Sequence, residues 1–395
     1  MSKLLSLKLS NFRSFFSEQA LNLENEIDSN ITVIYGPNAS GKSNTARALD
    51  FMKWFIFNSV RAEVVTIPFE PFALLANNSN PTSLQVEFKN KSRIFRYSFA
   101  FTASEIVKEE LVELTSQKEK VIFSRDHQAI TNIATSKKMG YSENLMNKTR
   151  PTSLLITKAR EDNNEYANEV FDFFSNFNII TCGTSILRNI SVDLQKNDPS
   201  MKDKVLSFLR SADFWIRDIK IDEIDTPDEF VNNLPFVEEI KKNIRGSKSF
   251  SIHTTHSVRD TEGKIVGLAQ FSLDDQESAG TKVIFDLAAL IIYSIEHESS
   301  LYIDEFGLHL HSDICQYILA KFKKHHEAQL ILNTHDVLLM DNLKREEIVF
   351  INKRQNEESV VVPFMSLSPR ENEPFSKRYK QGLYGAKPII SEAGL

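Results

Sequence analysis

The stretch from Val33 to Met52 reads VIYGPNASGKSNTARALDFM and predicts a strand, a tight turn and a helix in that order. Thr32 to Tyr35 is a short β-branched and aromatic run, which is typical of a buried strand. Gly36 to Ser43 fits the pattern G-x-x-x-x-G-K-S, the phosphate-binding loop. The sequence therefore predicts an α/β protein whose first buried strand carries an anion site.

The residue types in this loop indicate how it would bind a nucleotide. Gly36 and Gly41 permit backbone angles and a close approach that a Cβ atom would forbid. The backbone N–H groups and the start of the following helix favour negative charge. Lys42 is expected to reach the β- and γ-phosphates of ATP, and the Ser43 hydroxyl to bind Mg²⁺. The predicted nucleotide-binding residues are Gly36, Pro37, Asn38, Ala39, Ser40, Gly41, Lys42, Ser43 and Asn44.

Composition indicates a globular protein with ample material for a core. The chain has 395 residues, of which 41% are hydrophobic and 25% charged, and its formal net charge is −6. The negative net charge provides no positive electrostatic field that would attract nucleic acid or anionic lipid. Nucleic acid is therefore a possible partner, but the composition does not indicate it. Two cysteines cannot form a disulfide framework. With no signal peptide and no long apolar run, we expect a cytoplasmic protein without membrane contact.

Hydrophobic periodicity divides the chain into three regions. Alternation between Ser83 and about Phe123 predicts an antiparallel sheet, and the residues from about 152 to 245 favour helices. After Ser278 helices and strands alternate, which predicts a mainly parallel sheet. The predicted regions are an N-terminal half with a β subdomain at 1–158, a mainly helical insertion at 159–249 and a C-terminal half at 250–395.

Polar residues follow two further buried strands of the predicted sheet. SLYIDEF carries Asp304 and Glu305 near its end, of which the first is expected to bind Mg²⁺ and the second to deprotonate the attacking water. LILNTHD carries His335 near its end, and the imidazole of His335 could donate to the γ-phosphate. Lys42, Glu305 and His335 are therefore the predicted catalytic residues, and Ser43 and Asp304 the predicted metal ligands.

A second anion site is predicted at the start of the helix that precedes the SLYIDEF strand. Ser278 stands at the N-cap position, and Gly280 in the first turn permits close approach. An ordinary helix cap would produce the same pattern.

Together these motifs resemble those of the ABC/SMC ATPases. GPNASGKS corresponds to their Walker A motif, SAGT at Ser278–Thr281 to their signature, LYIDE to Walker B and NTHD to the switch histidine. LKLSNFRSF near the start resembles the first strand of RecF-like and OLD-like members. The segment YKQGLYGAKPII near the end resembles the AAA/ABC hybrid ATP-binding proteins of abortive-infection and phage-defence operons, a group with RloA-like, PARIS AriA-like and TOPRIM-lacking OLD-like members.

The resemblance implies a P-loop ABC-type ATPase that uses ATP and Mg²⁺. It also implies self-association as a head-to-tail dimer or a higher oligomer, in which Ser278 and Gly280 of one copy approach the nucleotide of another. Gly307 stands where many relatives carry an acidic residue, so signalling between subunits through that loop is in doubt. His309 and His311 suggest a metal site, but the family usually has a histidine at the second position, so we expect no metal there.

Several functions fit this resemblance. In the first, the chain is the sensor or regulatory ATPase of a phage-defence system and controls a toxic effector, a nuclease or other toxin, encoded by an adjacent gene. In the second, it is a RecF/SMC-like DNA-repair ATPase that clamps DNA when ATP drives dimerisation, a reading that the acidic balance disfavours. An OLD-type nuclease would carry a TOPRIM domain beyond the ATPase, and an SMC arm would need long heptads, which we do not find.

Overall fold

The computed structural model describes residues 2–116, 118–181, 186–225, 248–369 and 374–385. The chain forms two compact units, one from Met1–Thr184 with Ser294–Leu395 and the other from Ser185–Tyr293. The first unit contains the Walker A and Walker B motifs, and the second contains the signature residues.

A six-stranded sheet in the first unit carries the phosphate-binding loop. Its order is β16-β15-β3-β14-β13-β9, and all neighbours are parallel except the β15–β16 pair. The central strand β3 is buried along its whole length, as its apolar sequence predicts. The strands are β3 (Ile31–Tyr35), β9 (Phe177–Ile180), β13 (Ser300–Phe306), β14 (Gln329–Thr334), β15 (Ile348–Lys353) and β16 (Ser359–Pro363).

Helix α1 (Lys42–Asn58) begins directly after the phosphate-binding loop. It buries one face against the core of the unit, and full burial of Phe55 contributes about 2 kcal/mol of hydrophobic free energy. A second helix, Ser312–Lys324, connects β13 to β14, and this crossover makes the two strands parallel. No helix among the described residues is both long and apolar enough to cross a membrane.

A seven-stranded antiparallel sheet lies in the same unit, in the order β2-β1-β4-β5-β6-β7-β8. In β4 buried and partly exposed residues alternate strictly, as expected for a sheet with one wet face. The strands are β1 (Ser2–Ser10), β2 (Gln19–Asn22), β4 (Thr82–Asn90), β5 (Arg93–Phe101), β6 (Ile106–Leu114), β7 (Glu119–Asp126) and β8 (Ala129–Ile130). Four short helices follow: α2 (Ile133–Lys138), α3 (Glu143–Asn147), α4 (Leu155–Glu161) and α5 (Glu165–Ser175).

A buried ion pair fastens α4 to this antiparallel sheet. Glu109 on β6 lies 3.4 Å from the guanidinium of Arg125 on β7, and both side chains are fully buried. The Glu109 carboxylate also accepts hydrogen bonds from the backbone N–H groups of Leu155 (2.7 Å) and Ile156 (2.9 Å) and from the Tyr97 hydroxyl (3.0 Å). The carboxylate therefore caps the start of α4, where the helix has unpaired N–H groups.

The second unit combines helices with a three-stranded antiparallel sheet of order β10-β11-β12. Its described elements are α6 (Ile186–Asn197), α7 (Pro199–Ser211), β10 (Asp218–Asp225), β11 (Lys248–Arg259), β12 (Ile265–Ser272) and most of α8 (Ala279–Glu296). Helices α9 (Ser312–Lys324) and α10 (Phe375–Lys380) belong to the first unit.

The predicted fold class is confirmed in its architecture: an α/β fold with a phosphate-binding loop on a mainly parallel sheet, and with an antiparallel β subdomain. The predicted helical insertion at 159–249 stays a prediction, and its residues 182–185 and 226–247 lie outside the described residues. Two strands lie in the predicted insertion at 159–249: β9 joins the six-stranded sheet, and β10 belongs to the second unit.

Candidate functional site

Two glycines give the loop between β3 and α1 its shape. Gly41 has a φ of 105°, a left-handed conformation that favours glycine, and a Cβ atom there would collide with the hydroxyl groups of Ser14 and Ser359. A Cβ atom at Gly36 would collide with the backbone oxygen of Ile351 on β15. Both glycines are therefore required by close packing around the loop.

Lys42 is the first residue of α1, and its side chain contacts the loop. Its ammonium donates to the carbonyl oxygens of Gly36 (2.9 Å) and Pro37 (3.0 Å). Burial lowers the pKa of the Lys42 ammonium to about 8, although the charges of Asp304 and Glu305 oppose this shift. The single cation of the loop is thus held beside two carboxylates.

A serine cluster ties the loop to distant parts of the chain. The Ser359 hydroxyl on β16 contacts the Ser40 carbonyl oxygen (2.6 Å) and the Ser14 hydroxyl (2.7 Å). Ser14 lies in the turn between β1 and β2, and its hydroxyl accepts a hydrogen bond from the Asn44 amide (2.8 Å). These contacts position the second half of the loop and the start of α1. The sequence motifs did not identify Ser14 or Ser359.

Asp304, at the end of β13, faces Ser43. The Ser43 hydroxyl donates to Asp304 Oδ1 (3.1 Å), and the Asn333 amide donates to the same oxygen (2.8 Å). Asn333 Oδ1 in turn accepts from the buried Tyr302 hydroxyl (2.8 Å). Because burial raises the pKa of Tyr302, its hydroxyl keeps the proton that this bond needs. Asp304 is therefore held in one orientation by side chains from helix α1 and strand β14.

Glu305 differs from Asp304 in burial and in backbone conformation. Asp304 is 7% exposed, whereas Glu305 is exposed at the cleft. Glu305 has a φ of 54°, at a shift in the register between β13 and β14. A left-handed conformation costs a non-glycine residue about 1–2 kcal/mol, and such strain is concentrated at functional sites.

His335 follows β14 and is exposed at the cleft. Partial desolvation and the nearby Lys42 ammonium lower the pKa of the His335 imidazole, and Glu305 and Asp304 oppose this shift. The neutral imidazole is therefore favoured, and it can still donate one hydrogen bond.

These side chains surround one cleft of about 610 Å³, a volume within the usual range for small-molecule sites. It lies at the carboxyl ends of β3, β13 and β14, where ligands of open α/β sheets bind. Of the predicted residues, the cleft brings together the loop from Asn38 to Asn44 with Asp304, Glu305 and His335. Arg47, Asn333 and Thr334 also line the cleft, although the sequence motifs assigned them no role.

The cleft fits a Mg²⁺-nucleotide on two observations. The hydroxyl of Ser43 and the carboxylate of Asp304 form an oxygen-only set of ligands, which Mg²⁺ prefers. The Ser40 hydroxyl is buried in the loop and has no hydrogen-bond partner within the described ranges. The Ser40 hydroxyl is therefore available to bind an anion, and the Ser43 and Asp304 oxygens to bind its cation.

Ser278 and Gly280 stand at the start of α8 in the second unit. The Ser278 hydroxyl accepts a hydrogen bond from the Thr281 N–H (3.1 Å), so Ser278 caps the helix. Arg188 braces this region, because it donates to Asp274 (2.8 Å) before the helix and to Asp286 (3.1 Å) within it. Glu277, next to Ser278, contacts His256 (2.7 Å).

The other residues considered for binding lie elsewhere. His311 caps α9, and its imidazole accepts a hydrogen bond from the Asp313 N–H (3.2 Å). In the part of the chain that the structure describes, no group of three or more His, Cys, Asp or Glu side chains is arranged to hold a metal. Of the YKQGLYGAKPII segment, residues 386–390 lie outside the described residues, and Tyr379 stacks on Phe350 with 5.8 Å between ring centroids.

The fold and the cleft define a P-loop protein. The chain belongs to the family described as "AAA domain, putative AbiEii toxin, Type IV TA system", whose model matches residues 31–341. No curated protein matches the sequence.

Three similar solved structures are heads of SMC proteins. The SMC head domain from Thermotoga maritima is 17% identical, with a TM-score of 0.45 and coverage of 91% of this chain and 98% of that chain. An SmcHead bound to the C-winged helix domain of ScpA is 14% identical, with a TM-score of 0.42 and coverage of 91% and 97%. An Smc head domain with an extended coiled coil, bound to the C-terminal domain of ScpA derived from Pyrococcus furiosus, is 14% identical, with a TM-score of 0.44 and coverage of 92% and 96%. These similarities concern the fold alone.

Proposed function

We propose that this protein binds ATP with Mg²⁺ and hydrolyses it to ADP and phosphate. The observation that carries the proposal is the 3.1 Å contact between Ser43 and Asp304, which joins the Walker A and Walker B motifs in one cleft. Mg²⁺, when bound there, would neutralise charge on the phosphates. The protein's own groups would supply the rest of the chemistry.

Each group in the cleft has a distinct task in this proposal. Lys42 leaves the carbonyl oxygens of the loop and donates to the β- and γ-phosphates. Glu305, exposed and beside the place of attack, takes the proton of the attacking water. His335 donates to the γ-phosphate as a neutral imidazole, so it adds a hydrogen bond without a full charge.

Replacing Lys42 with Ala tests nucleotide binding. We expect the affinity for ATP to fall at least about 100-fold, since charge-assisted hydrogen bonds to two phosphates are lost. Titration with a fluorescent ATP analogue measures this change. Lys8→Ala, on β1 and outside the cleft, is the matched control and should bind as the wild type does. Wild-type affinity in a folded Lys42→Ala variant would refute the assignment.

We further propose that two copies pair head to tail, each placing Ser278 and Gly280 against the nucleotide of the other. The capped start of α8 supports this role, because a helix N-terminus favours an anion. The brace from Arg188 would hold that helix end in a fixed orientation.

Mixing two inactive variants tests the shared site. A Lys42→Ala chain keeps its signature helix, and a Gly280→Asp chain keeps its phosphate-binding loop. Their heterodimer contains one complete site, so we expect the mixture to regain hydrolysis that neither variant shows alone. The control replaces the second chain with a Lys42→Ala/Gly280→Asp double variant, which completes no site. Failure to regain hydrolysis, with subunit exchange shown by differently tagged chains, would contradict the head-to-tail arrangement.

We propose a regulatory role for this ATPase in an abortive-infection or phage-defence system. The family description, which names a toxin of a toxin–antitoxin system, supports a role in growth arrest. ATP hydrolysis alone damages no cellular component, so the proposed output is control of a separate effector. Binding or loss of nucleotide would shift a two-state equilibrium that holds or frees this effector.

This role makes a prediction about the purified protein. We expect it to cleave neither DNA nor RNA, with or without ATP and Mg²⁺, and to co-purify with the product of an adjacent gene. Nuclease assays and pull-down with mass spectrometry measure both. If nuclease activity follows this chain through purification and is lost in a point variant of it, the chain is itself the effector.

A further inference from the structure

A second pocket of about 680 Å³ lies in the first unit, away from the nucleotide cleft. It includes Gln329, the first residue of β14, whereas the nucleotide cleft includes residues at the end of that strand. The pocket therefore lies at the amino end of β14, whereas the nucleotide cleft lies at its carboxyl end. Its floor is held together by Gln329, whose amide pairs with the backbone N–H (2.9 Å) and C=O (2.8 Å) of Leu4.

Two lysines face each other across adjacent strands in this pocket. Lys3 on β1 is the direct antiparallel partner of Lys89 on β4. Like charges directly opposite each other destabilise a sheet, and Lys3 is only 9% exposed, which adds a desolvation cost. Among the described residues neither ammonium has an ion pair or a hydrogen bond to offset these costs. This arrangement favours a bound anion.

Carboxylates near the two lysines change the local electrostatic potential, but none of those described forms an ion pair with either ammonium. Burial lowers the pKa of the Lys3 ammonium, Lys89 lowers it further, and Asp28 and Glu327 oppose the shift. Glu24, Glu26 and Asp28 are exposed and belong to the loop that forms one wall of the pocket. These carboxylates repel a polyanion such as nucleic acid more strongly than a ligand with a single oxyanion group placed at the lysines, because repulsion grows with the charge of the ligand.

Asn25 adds a third donor. Its side-chain oxygen accepts from the Ser29 N–H (2.9 Å), which fixes the orientation of the amide. Its amide nitrogen is buried and has no hydrogen-bond partner within the described ranges. Asn25 lines the same pocket as Lys3 and Lys89, together with the apolar side chains of Leu5 and Leu23.

We propose that this pocket binds an oxyanion, a phosphate or a carboxylate, carried by a small molecule of up to nucleotide size. Lys3, Lys89 and the Asn25 amide would hold the oxyanion through charge-assisted hydrogen bonds. Leu5 and Leu23 would contact an uncharged part of the ligand. The volume is sufficient for such a molecule.

Calorimetry on the full chain tests this proposal with three probes: inorganic phosphate, adenosine monophosphate and citrate. The nucleotide cleft is first saturated with Mg²⁺ and a non-hydrolysable ATP analogue, so that only other sites can respond. We expect at least one probe to bind the wild type, and a Lys3→Gln/Lys89→Gln variant to bind it at least about tenfold more weakly. Lys8→Gln, the same change on the same strand outside the pocket, should bind as the wild type does.

The pattern across probes identifies the source of the oxyanion. Binding of phosphate and adenosine monophosphate alone indicates a phosphate ester, and binding of citrate alone indicates a carboxylate. A second measurement avoids any dependence on the variant's folding: the probe should protect Lys3 and Lys89, but not Lys8, from acetylation in the wild type, as read by mass spectrometry. Absence of binding by all three probes, equal binding by the double variant, or absence of protection would overturn the proposal.

Discussion

Replacing Glu305 with Gln is expected to slow ATP hydrolysis by about 100- to 10,000-fold and to leave ATP binding nearly unchanged. The amide keeps the size of the side chain but cannot take a proton from water. Single-turnover hydrolysis of radiolabelled ATP measures the rate, and equilibrium titration measures the affinity. Glu327→Gln, an exposed glutamate outside the cleft, is the matched control.

The backbone at Glu305 offers a way to separate chemistry from stability. Its φ of 54° strains any residue with a Cβ atom, whereas Gly adopts this angle readily. A Glu305→Gly variant should therefore lose hydrolysis and yet melt at or above the wild-type temperature. If Glu305→Gln hydrolyses ATP at the wild-type rate, another group is the base and the proposed role of Glu305 is wrong.

Replacing Glu109 with Ala is expected to lower the free energy of unfolding by about 3–5 kcal/mol, because Arg125 becomes an uncompensated buried charge. The N–H groups of Leu155 and Ile156 also lose their acceptor. Urea denaturation followed by fluorescence measures the loss, and the melting temperature should fall by roughly 10 °C.

Two further variants show whether burial causes this effect. Glu87→Ala removes a partner of Arg96 in a partly exposed pair at 2.8 Å and should cost no more than about 1 kcal/mol. A Glu109→Leu/Arg125→Met variant removes both buried charges and should recover most of the loss. Equal losses in Glu109→Ala and Glu87→Ala would show that burial of the ion pair does not increase its contribution to the free energy of unfolding.

Local patterns predicted the elements that carry the cleft. The strand, loop and helix around Lys42 are contiguous in sequence, and SLYIDEF is an apolar run that ends in two acids, so periodicity and residue type were sufficient. The alternation of helix and strand after Ser278 correctly predicted that β13 and β14 are parallel. The roles given to these side chains stay predictions.

Contacts between distant positions had no local signal. Ser14 and Ser359 are 345 residues apart in sequence, and each alone is an ordinary serine in a turn or at a strand end. The motif that contains His335 assigned no role to Asn333, whose amide donates to Asp304. A polar side chain in a buried strand nevertheless indicates that it has a hydrogen-bond partner. Similarly, β9 is only four residues long within a helix-rich region, so its pairing with β13 depends on tertiary structure.

The position of β3 has a consequence for synthesis of the protein on the ribosome. Both neighbours of β3 in the sheet, β14 and β15, are made about 300 residues later, and Ser359 follows them. A nascent chain that already contains the whole phosphate-binding loop therefore lacks the strands that flank it and the hydroxyl that holds it. Such late, long-range pairing slows folding and leaves apolar strand edges exposed in the meantime. The phosphate-binding loop thus acquires its full set of contacts only when translation has passed the last strand of the sheet.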